Sequence, residues 1–138
     1  MAFDHEWTEK DYFPDVDPGV KPVGNRILVQ IRQTPKKVTS SGILLVEETR
    51  ETEKTQTTIA KIIAVGPLAF KKRDSGEPWP EGVWAGPGDI VRVPKWNADR
   101  WFIDNPADPE NPVMFGVMND HEIIGVVTGD HTKLRAYL

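Results

Sequence analysis

The side chains of this sequence that could do acid–base or metal chemistry lie far apart along the chain. The three histidines, His5, His121 and His131, form no H-x-x-x-H pair and have no second metal ligand close by. Asp15 and Asp17 form a D-x-D pair, but the remaining ligand positions of a calcium loop do not follow. We therefore interpret these acids as turn residues and expect no metal site.

Two further patterns could serve phosphate binding or hydrolysis, and both are incomplete. Gly86-Pro87-Gly88-Asp89 is glycine-rich, but no Lys-Ser/Thr pair follows it and it leads into a predicted strand rather than a helix. The chain contains no G-x-S-x-G, and Ser40 and Ser41 lie in a polar stretch. It has no cysteine to act as a nucleophile or a zinc ligand. The sequence predicts neither an enzyme nor a bound cofactor.

Tryptophan is concentrated in the second half of the sequence. Four of the five lie between positions 79 and 101, namely Trp79, Trp84, Trp96 and Trp101. Exposed indole rings stack on sugars or bases, whereas buried ones join long loops through apolar contacts. A binding module for a glycan or a peptide is therefore one functional hypothesis.

The aliphatic triplet Ile43-Leu44-Leu45 interrupts a polar region. Gln33–Ser41 precedes it, and Glu47–Thr58 follows it without a single apolar side chain. A segment of that composition cannot offset its ordering entropy by burial, so we expect it to be mobile in the free protein. The triplet is either a short edge strand or a partner-binding element on a flexible tether, and composition leaves both open.

Length and charge exclude several classes of protein. A chain of 138 residues fits one domain, and a formal net charge of −4 provides no general attraction to DNA or anionic lipid. A membrane helix needs about 20 apolar residues, more than any charge-free stretch here provides. The first residues are acidic rather than a basic and then apolar signal sequence. We expect a cytoplasmic protein without nucleic-acid or membrane partners.

Apolar residues at every second position predict short β-strands separated by glycine and proline. In Asn25–Arg32 the alternation places Gln30 and Arg32 on a solvent-facing side. Asn119-Asp120 predicts a hairpin between the last two strands. No sustained helical period is present, so the sequence predicts an all-β barrel or sandwich. The further predicted strands are Ile59–Val65, Ile90–Val93, Val113–Met118 and Glu122–Val127.

The order of these segments resembles the GroES-type co-chaperonins, the 10 kDa chaperonin family, over about residues 23–128. Asn25–Ile31 resembles the opening D-R-V-L-V strand, and Gly42–Leu45 resembles the G-I-V-L at the tip of the family's mobile loop. Ile62–Pro67 is similar to its V-x-A-V-G strand and turn, and Gly88–Val91 to its G-D-x-V. Val117–Val126 resembles its closing segment. The resemblance implies a partly open β-barrel with a long mobile loop.

The same resemblance implies a function. Such subunits assemble into a seven-membered ring that caps a GroEL-type chaperonin, which itself binds the ATP. The residues that would bind the chaperonin are Gly42, Ile43, Leu44 and Leu45. Pairing of the first strand with a neighbour's last strand would close the ring, which predicts an interface of Ile27, Val29, Ile31, Ile123, Ile124 and Val126.

Several segments depart from the family pattern and indicate a divergent member, of phage or viral origin as one interpretation. Residues 1–24 are rich in proline and glycine and predict an extended arm without regular structure. The barrel spans residues 25–128, with a mobile loop at about 33–58, a candidate roof at 68–88 and an enlarged loop at 95–112. Residues 129–138 form a tail. A viral structural protein, locked together by arm and tail, is the remaining alternative.

Overall fold

The computed structural model describes residues 7–33, 59–94 and 98–134. Six strands dominate these residues, with one short helix and two 3-10 turns, at Asp120–Glu122 and His131–Lys133. The helix is α1 (Glu9–Tyr12), and the strands are β1 (Arg26–Ile31), β2 (Ile59–Val65), β3 (Ile90–Arg92), β4 (Asp99–Ile103), β5 (Val113–Asn119) and β6 (Gly125–Val126). The predicted all-β class is confirmed.

All six strands form a single antiparallel sheet in the order β4-β5-β1-β2-β3-β6. β1 lies inside this sheet, paired with β2 on one edge and with β5 on the other. A bulge between Leu28 and Val29 shifts its register against β2. This arrangement is consistent with a GroES-like β-barrel, with β4 and β6 as the two edges of the sheet.

The main core lies on one side of the sheet. Ile27, Val29 and Ile31 of β1 have no exposed surface, and Ile62 of β2 and Val91 of β3 pack with them. The 68–88 segment adds Phe70, with Trp79 and Trp84 against the same cluster. On this side of β1, therefore, every second residue is apolar and buried, as the alternation in the sequence predicted.

The other side of β1 is also buried, so the predicted solvent-facing side is wrong. Leu28 packs in a second cluster with Val113 and Phe115. Gln30 and Arg32 are only 3% and 6% exposed, because the N-terminal arm and the C-terminal tail cover them. Buried polar groups need partners. Gln30 donates from Nε2 to the Pro14 carbonyl at 2.8 Å, and Arg32 donates to carbonyls of the tail.

The sequence analysis expected an N-terminal arm without regular structure, but the arm contains one helical turn. One helical turn, α1, begins after Thr8, whose backbone N–H donates to the Asp11 carboxylate at 2.8 Å. This contact is half of a capping box, a local signal of a helix start. Phe13 directly after the helix is buried. Proline at 14, 18 and 22 explains why the helix does not continue.

The predicted hairpin around Asn119-Asp120 is also wrong. β5 pairs with β1 and β4, whereas β6 pairs with β3 through Val91 and Val126. The 3-10 turn at Asp120–Glu122 carries the chain from one part of the sheet to the other. The neighbour that β5 does have is β4, a strand inside the predicted 95–112 loop, with Trp101 opposite Phe115.

Candidate partner-binding surfaces

The residues on either side of segment 34–58 are neighbours in the fold. The backbone N–H of Arg32 donates to the Ile59 carbonyl at 3.0 Å, and Ile59 is buried. We call Arg32, Gln33 and Ile59 the loop root. Gly42, Ile43, Leu44 and Leu45 lie outside the described residues, so their predicted binding role stays a prediction.

The loop root is fixed by both ends of the chain. Gln33 donates its backbone N–H to the Tyr12 carbonyl at 2.8 Å. The Arg32 guanidinium donates to the His131 carbonyl and, at 2.8 Å, to the Leu134 carbonyl. Burial lowers the pKa of this guanidinium, but an arginine side chain keeps its charge in proteins. Charge-assisted bonds of this kind are stronger than neutral ones, so the root is a firm attachment.

Arm and tail also contact each other, in a cluster that we call the terminal clasp: Glu9, Tyr12, Phe13 and His131. His131 is buried, and its Nε2 lies 2.5 Å from the Glu9 carboxylate. The rings of Tyr12 and Phe13 meet the imidazole edge-on, with centroids 5.1 and 5.3 Å away. The sequence analysis considered His131 only as a metal ligand, and the separation of 122 positions from Glu9 hid this contact.

The predicted subunit-interface residues divide into two groups. Ile27, Val29 and Ile31 have no exposed surface, and strands of the same chain occupy both edges of β1. These side chains pack in the subunit's own core, and their predicted role at a subunit contact stays a prediction. Ile123 is buried as well.

The other two predicted interface residues are accessible. Ile124 is 63% exposed and Val126 43% exposed, at the edge of the sheet where β6 lies. In the part of the chain that the structure describes, β6 pairs only with β3. Exposed apolar side chains beside an edge strand favour contact with another chain. Val20 and Val23, just before β1, are exposed apolar residues too.

The described tryptophans of the 79–101 group pack against neighbouring aromatic rings. Trp79 contacts Phe70 edge-on with centroids 5.5 Å apart, and Trp84 lies 5.0 Å from Trp79. Trp101 stacks on Phe115, and its indole N–H donates to the Pro18 carbonyl at 2.9 Å. All three rings are half-buried. Trp96 lies outside the described residues.

A buried carboxylate fixes the 68–88 segment. Asp120 accepts the backbone N–H of Phe70 at 2.8 Å and that of His121 at 2.7 Å. Phe70 has a φ of 61°, which a bulky side chain rarely adopts, and the first of these bonds helps to hold it there. The Asn119-Asp120 pair had predicted only a hairpin, because a contact 50 positions away leaves no trace in local sequence.

Within residues 7–33, 59–94 and 98–134, no three His, Asp or Glu side chains come close enough together to bind one metal ion. None of the helices in those ranges has the length and apolar character that crossing a bilayer requires. What the described surface does present is exposed apolar side chains at a sheet edge and a firmly held loop root.

These features define a small all-β protein with exposed apolar side chains beside an edge strand. The family model for the chaperonin 10 Kd subunit matches residues 19–127, and the chain belongs to this family. The predicted resemblance is thereby confirmed. The comparison with curated proteins yields no match. Family membership implies a non-enzymatic co-chaperonin role, with a GroEL-type chaperonin as partner and an oligomeric ring as the assembly.

Proposed function

We propose that this chain caps a GroEL-type chaperonin through Ile43, Leu44 and Leu45 and so closes the chamber in which proteins fold. The family match carries this proposal. The loop root supports it, because segment 34–58 is attached at both ends to neighbouring, hydrogen-bonded parts of one sheet. ATP would be bound by the chaperonin and not by this chain.

The energetics of such a segment suit reversible capping. Burying three aliphatic side chains contributes about 1.5–3 kcal/mol each. Ordering the polar residues beside them costs about 1–2 kcal/mol per residue. The two terms largely cancel, so one segment alone binds weakly. Several copies on one rigid ring bind tightly through their effective concentration and can still release together.

We further propose a heptameric ring closed by head-to-tail contacts at the β6 edge. Ile124 and Val126 form one side of this contact, since they are the accessible members of the predicted set. The other side would be the neighbour's segment 20–23 with Val20 and Val23, in place of the buried strand 25–32. Two different surfaces that meet head to tail generate a closed ring when the rotations between successive subunits add up to one full turn.

Native mass spectrometry of the purified full chain tests the proposed function. We expect a seven-subunit species that joins a GroEL-type chaperonin only when ATP is present. A monomer or dimer that never associates with the chaperonin under these conditions would overturn the capping proposal.

Leu44→Asp isolates the role of the aliphatic triplet. A carboxylate cannot enter an apolar groove without losing its hydration, so capping should be lost while the thermal midpoint of the subunit stays unchanged. Val83→Asp is the matched control, because Val83 is 66% exposed and lies outside segment 34–58. Capping that persists in Leu44→Asp, measured by native mass spectrometry with ATP, would exclude this residue from the contact.

A further inference from the structure

The C-terminal tail is held on the subunit by few groups over residues 130–134, which we call the strap. His131 is 3% exposed, whereas the other four residues of the strap are exposed. The imidazole of His131 lies in the terminal clasp, beside the Glu9 carboxylate and the rings of Tyr12 and Phe13. Segments with so little buried surface open locally at far lower cost than a sheet, so the strap can leave while the strands stay folded.

The second attachment of the strap is the guanidinium of Arg32. It donates from Nη1 to the His131 carbonyl and, at 2.8 Å, from Nη2 to the Leu134 carbonyl. Arg32 is only 6% exposed, and a buried charge is costly to leave without hydrogen-bond partners. Release of the strap would remove both acceptors at once. The strap and the Arg32 side chain therefore stabilise each other.

Arg32 also belongs to the loop root, from which segment 34–58 departs. Its backbone N–H donates to the Ile59 carbonyl at 3.0 Å, and the next N–H, that of Gln33, donates to the Tyr12 carbonyl at 2.8 Å. The strap thus acts through one side chain on the backbone of the root. A root that is already fixed need not be ordered when the attached segment binds, and such pre-organisation raises affinity.

We propose that the strap regulates capping: docked on Arg32 it fixes the loop root and raises the affinity of the ring for the chaperonin, and its release lowers that affinity. This inference rests on the proposed function and adds a means of control to it. Arg32 is a positioning residue, since it acts through the backbone of the root. Because coupling between two sites is reciprocal, binding of the chaperonin should in turn hold the strap in place.

Hydrogen–deuterium exchange of the full chain, read by mass spectrometry, tests the effect of the strap on the root without any chaperonin. Arg32→Met keeps an aliphatic stem and removes every donor. We expect the amides of Gln33 and Leu134 to exchange about tenfold faster in this variant, because root and strap both loosen. Arg26→Met is the matched control, since Arg26 occupies the exposed first position of the same strand. Unchanged exchange at Gln33 in Arg32→Met would overturn the proposal.

The affinity of ATP-dependent capping tests the effect on function. Deletion of residues 130–138 removes both carbonyl acceptors, and deletion of residues 135–138 is its control because it keeps them. We expect Arg32→Met and the longer deletion each to weaken capping about tenfold, and the two together to weaken it no further, since both remove the same contact. Arg32→Lys should recover part of the affinity, because an ammonium still donates to a carbonyl.

Three results of the capping measurement would overturn the proposal. Losses that multiply in the double variant would mean that the strap and Arg32 act independently. An equal loss on deletion of residues 135–138 would assign the effect to other residues. Dissociation of the ring in Arg32→Met, seen by native mass spectrometry, would assign it to assembly. A wild-type chain that never caps would refute the proposed function instead, and the exchange of Gln33 would still decide whether the strap holds the root.

Discussion

Gly66 lies where the turn after β2 meets the turn before β1. Its N–H donates to the Arg26 carbonyl at 2.8 Å, and a Cβ at this position would come within 2.3 Å of the Gly24 carbonyl oxygen. The obstacle is backbone rather than a flexible side chain, so it cannot move aside cheaply. This position therefore requires glycine for reasons of space.

We expect Gly66→Ala to destabilise the subunit by about 1–3 kcal/mol, the usual cost of an overpacked contact. Gly86→Ala is the control, because a Cβ there would meet no atom within 4 Å. Urea denaturation followed by tryptophan fluorescence measures both variants. Equal stability of the two would contradict the close approach at Gly66.

Asp130, at the start of the tail, is a second residue whose local contacts give a testable property, the pKa of its carboxyl. Its carboxylate accepts from the Thr132 hydroxyl at 2.7 Å and from the Thr132 backbone N–H at 2.9 Å. The side-chain bond first, and then the backbone bond, lower the pKa of Asp130 below its ordinary value of 3.8. A carboxyl whose pKa falls on folding stabilises the folded state above its unfolded pKa, and this contribution is lost as the pH drops through the lower, folded pKa.

Thr132→Val should therefore raise the pKa of Asp130 toward 3.8, since the stronger of the two bonds is lost. Thr132→Ser keeps the hydroxyl and should leave the pKa low. Titration of the Asp130 carboxyl carbon by NMR distinguishes the variants. An unchanged titration midpoint in Thr132→Val would show that the hydroxyl bond does not shift the pKa.

Among the elements, the N-terminal arm contacts several distant parts of the fold. It covers the outer side of β1, contributes Phe13 to the packed interior, and accepts bonds from Gln30 and from the indole of Trp101. Together with the tail it also holds the loop root. The arm is thus part of the subunit and not an appendage.

Phe13→Ala should lower the free energy of unfolding by about 3–5 kcal/mol, as for other buried phenylalanines. Loss of the ring also removes one wall around His131. Phe102→Ala is the comparison, because Phe102 is 42% exposed and should cost far less. Chemical denaturation gives both values, and similar losses would mean that the arm does not pack as described.

At the scale of the whole molecule, the two edges of the sheet differ. β4 carries one exposed apolar side chain, Phe102, and is followed by a loop at 104–112, whereas the β6 edge has two, Ile124 and Val126. The ring implied by the family requires two surfaces per subunit that fit each other. The β6 edge provides an accessible apolar surface of this kind.

Val126→Asp should break the ring into smaller species without unfolding the subunit, because a charge in an apolar contact is costly to desolvate and Val126 is 43% exposed in the single chain. Native mass spectrometry gives the stoichiometry, and the far-UV circular dichroism melt checks the fold. Val83→Asp again serves as the control. An intact ring in Val126→Asp would place the subunit contact elsewhere.

The sequence predicted strands best where apolar alternation is uninterrupted. β2 was predicted with the bounds that the structure has, and β1, β3 and β5 within one or two residues. β4 was missed because Asp99–Ile103 is short and lies among Asp, Asn and Pro residues. Only its pairing with β5 makes it a strand. The family resemblance depended on the order of the motifs, which local patterns preserve.

The sequence by itself determined the all-β class, the family and the position of the candidate chaperonin-binding triplet, because period and motif order are local properties. Only the tertiary structure shows that β2 and β5 pair with the two edges of β1. It also shows that Ile27, Val29 and Ile31 of the predicted interface are buried in the core. It also decided that Gln30 and Arg32 are buried and that Glu9 meets His131. Arg32 meets His131 across 99 positions, Glu9 meets His131 across 122, and even Gln30 meets Pro14 across 16, so no local pattern encodes these contacts.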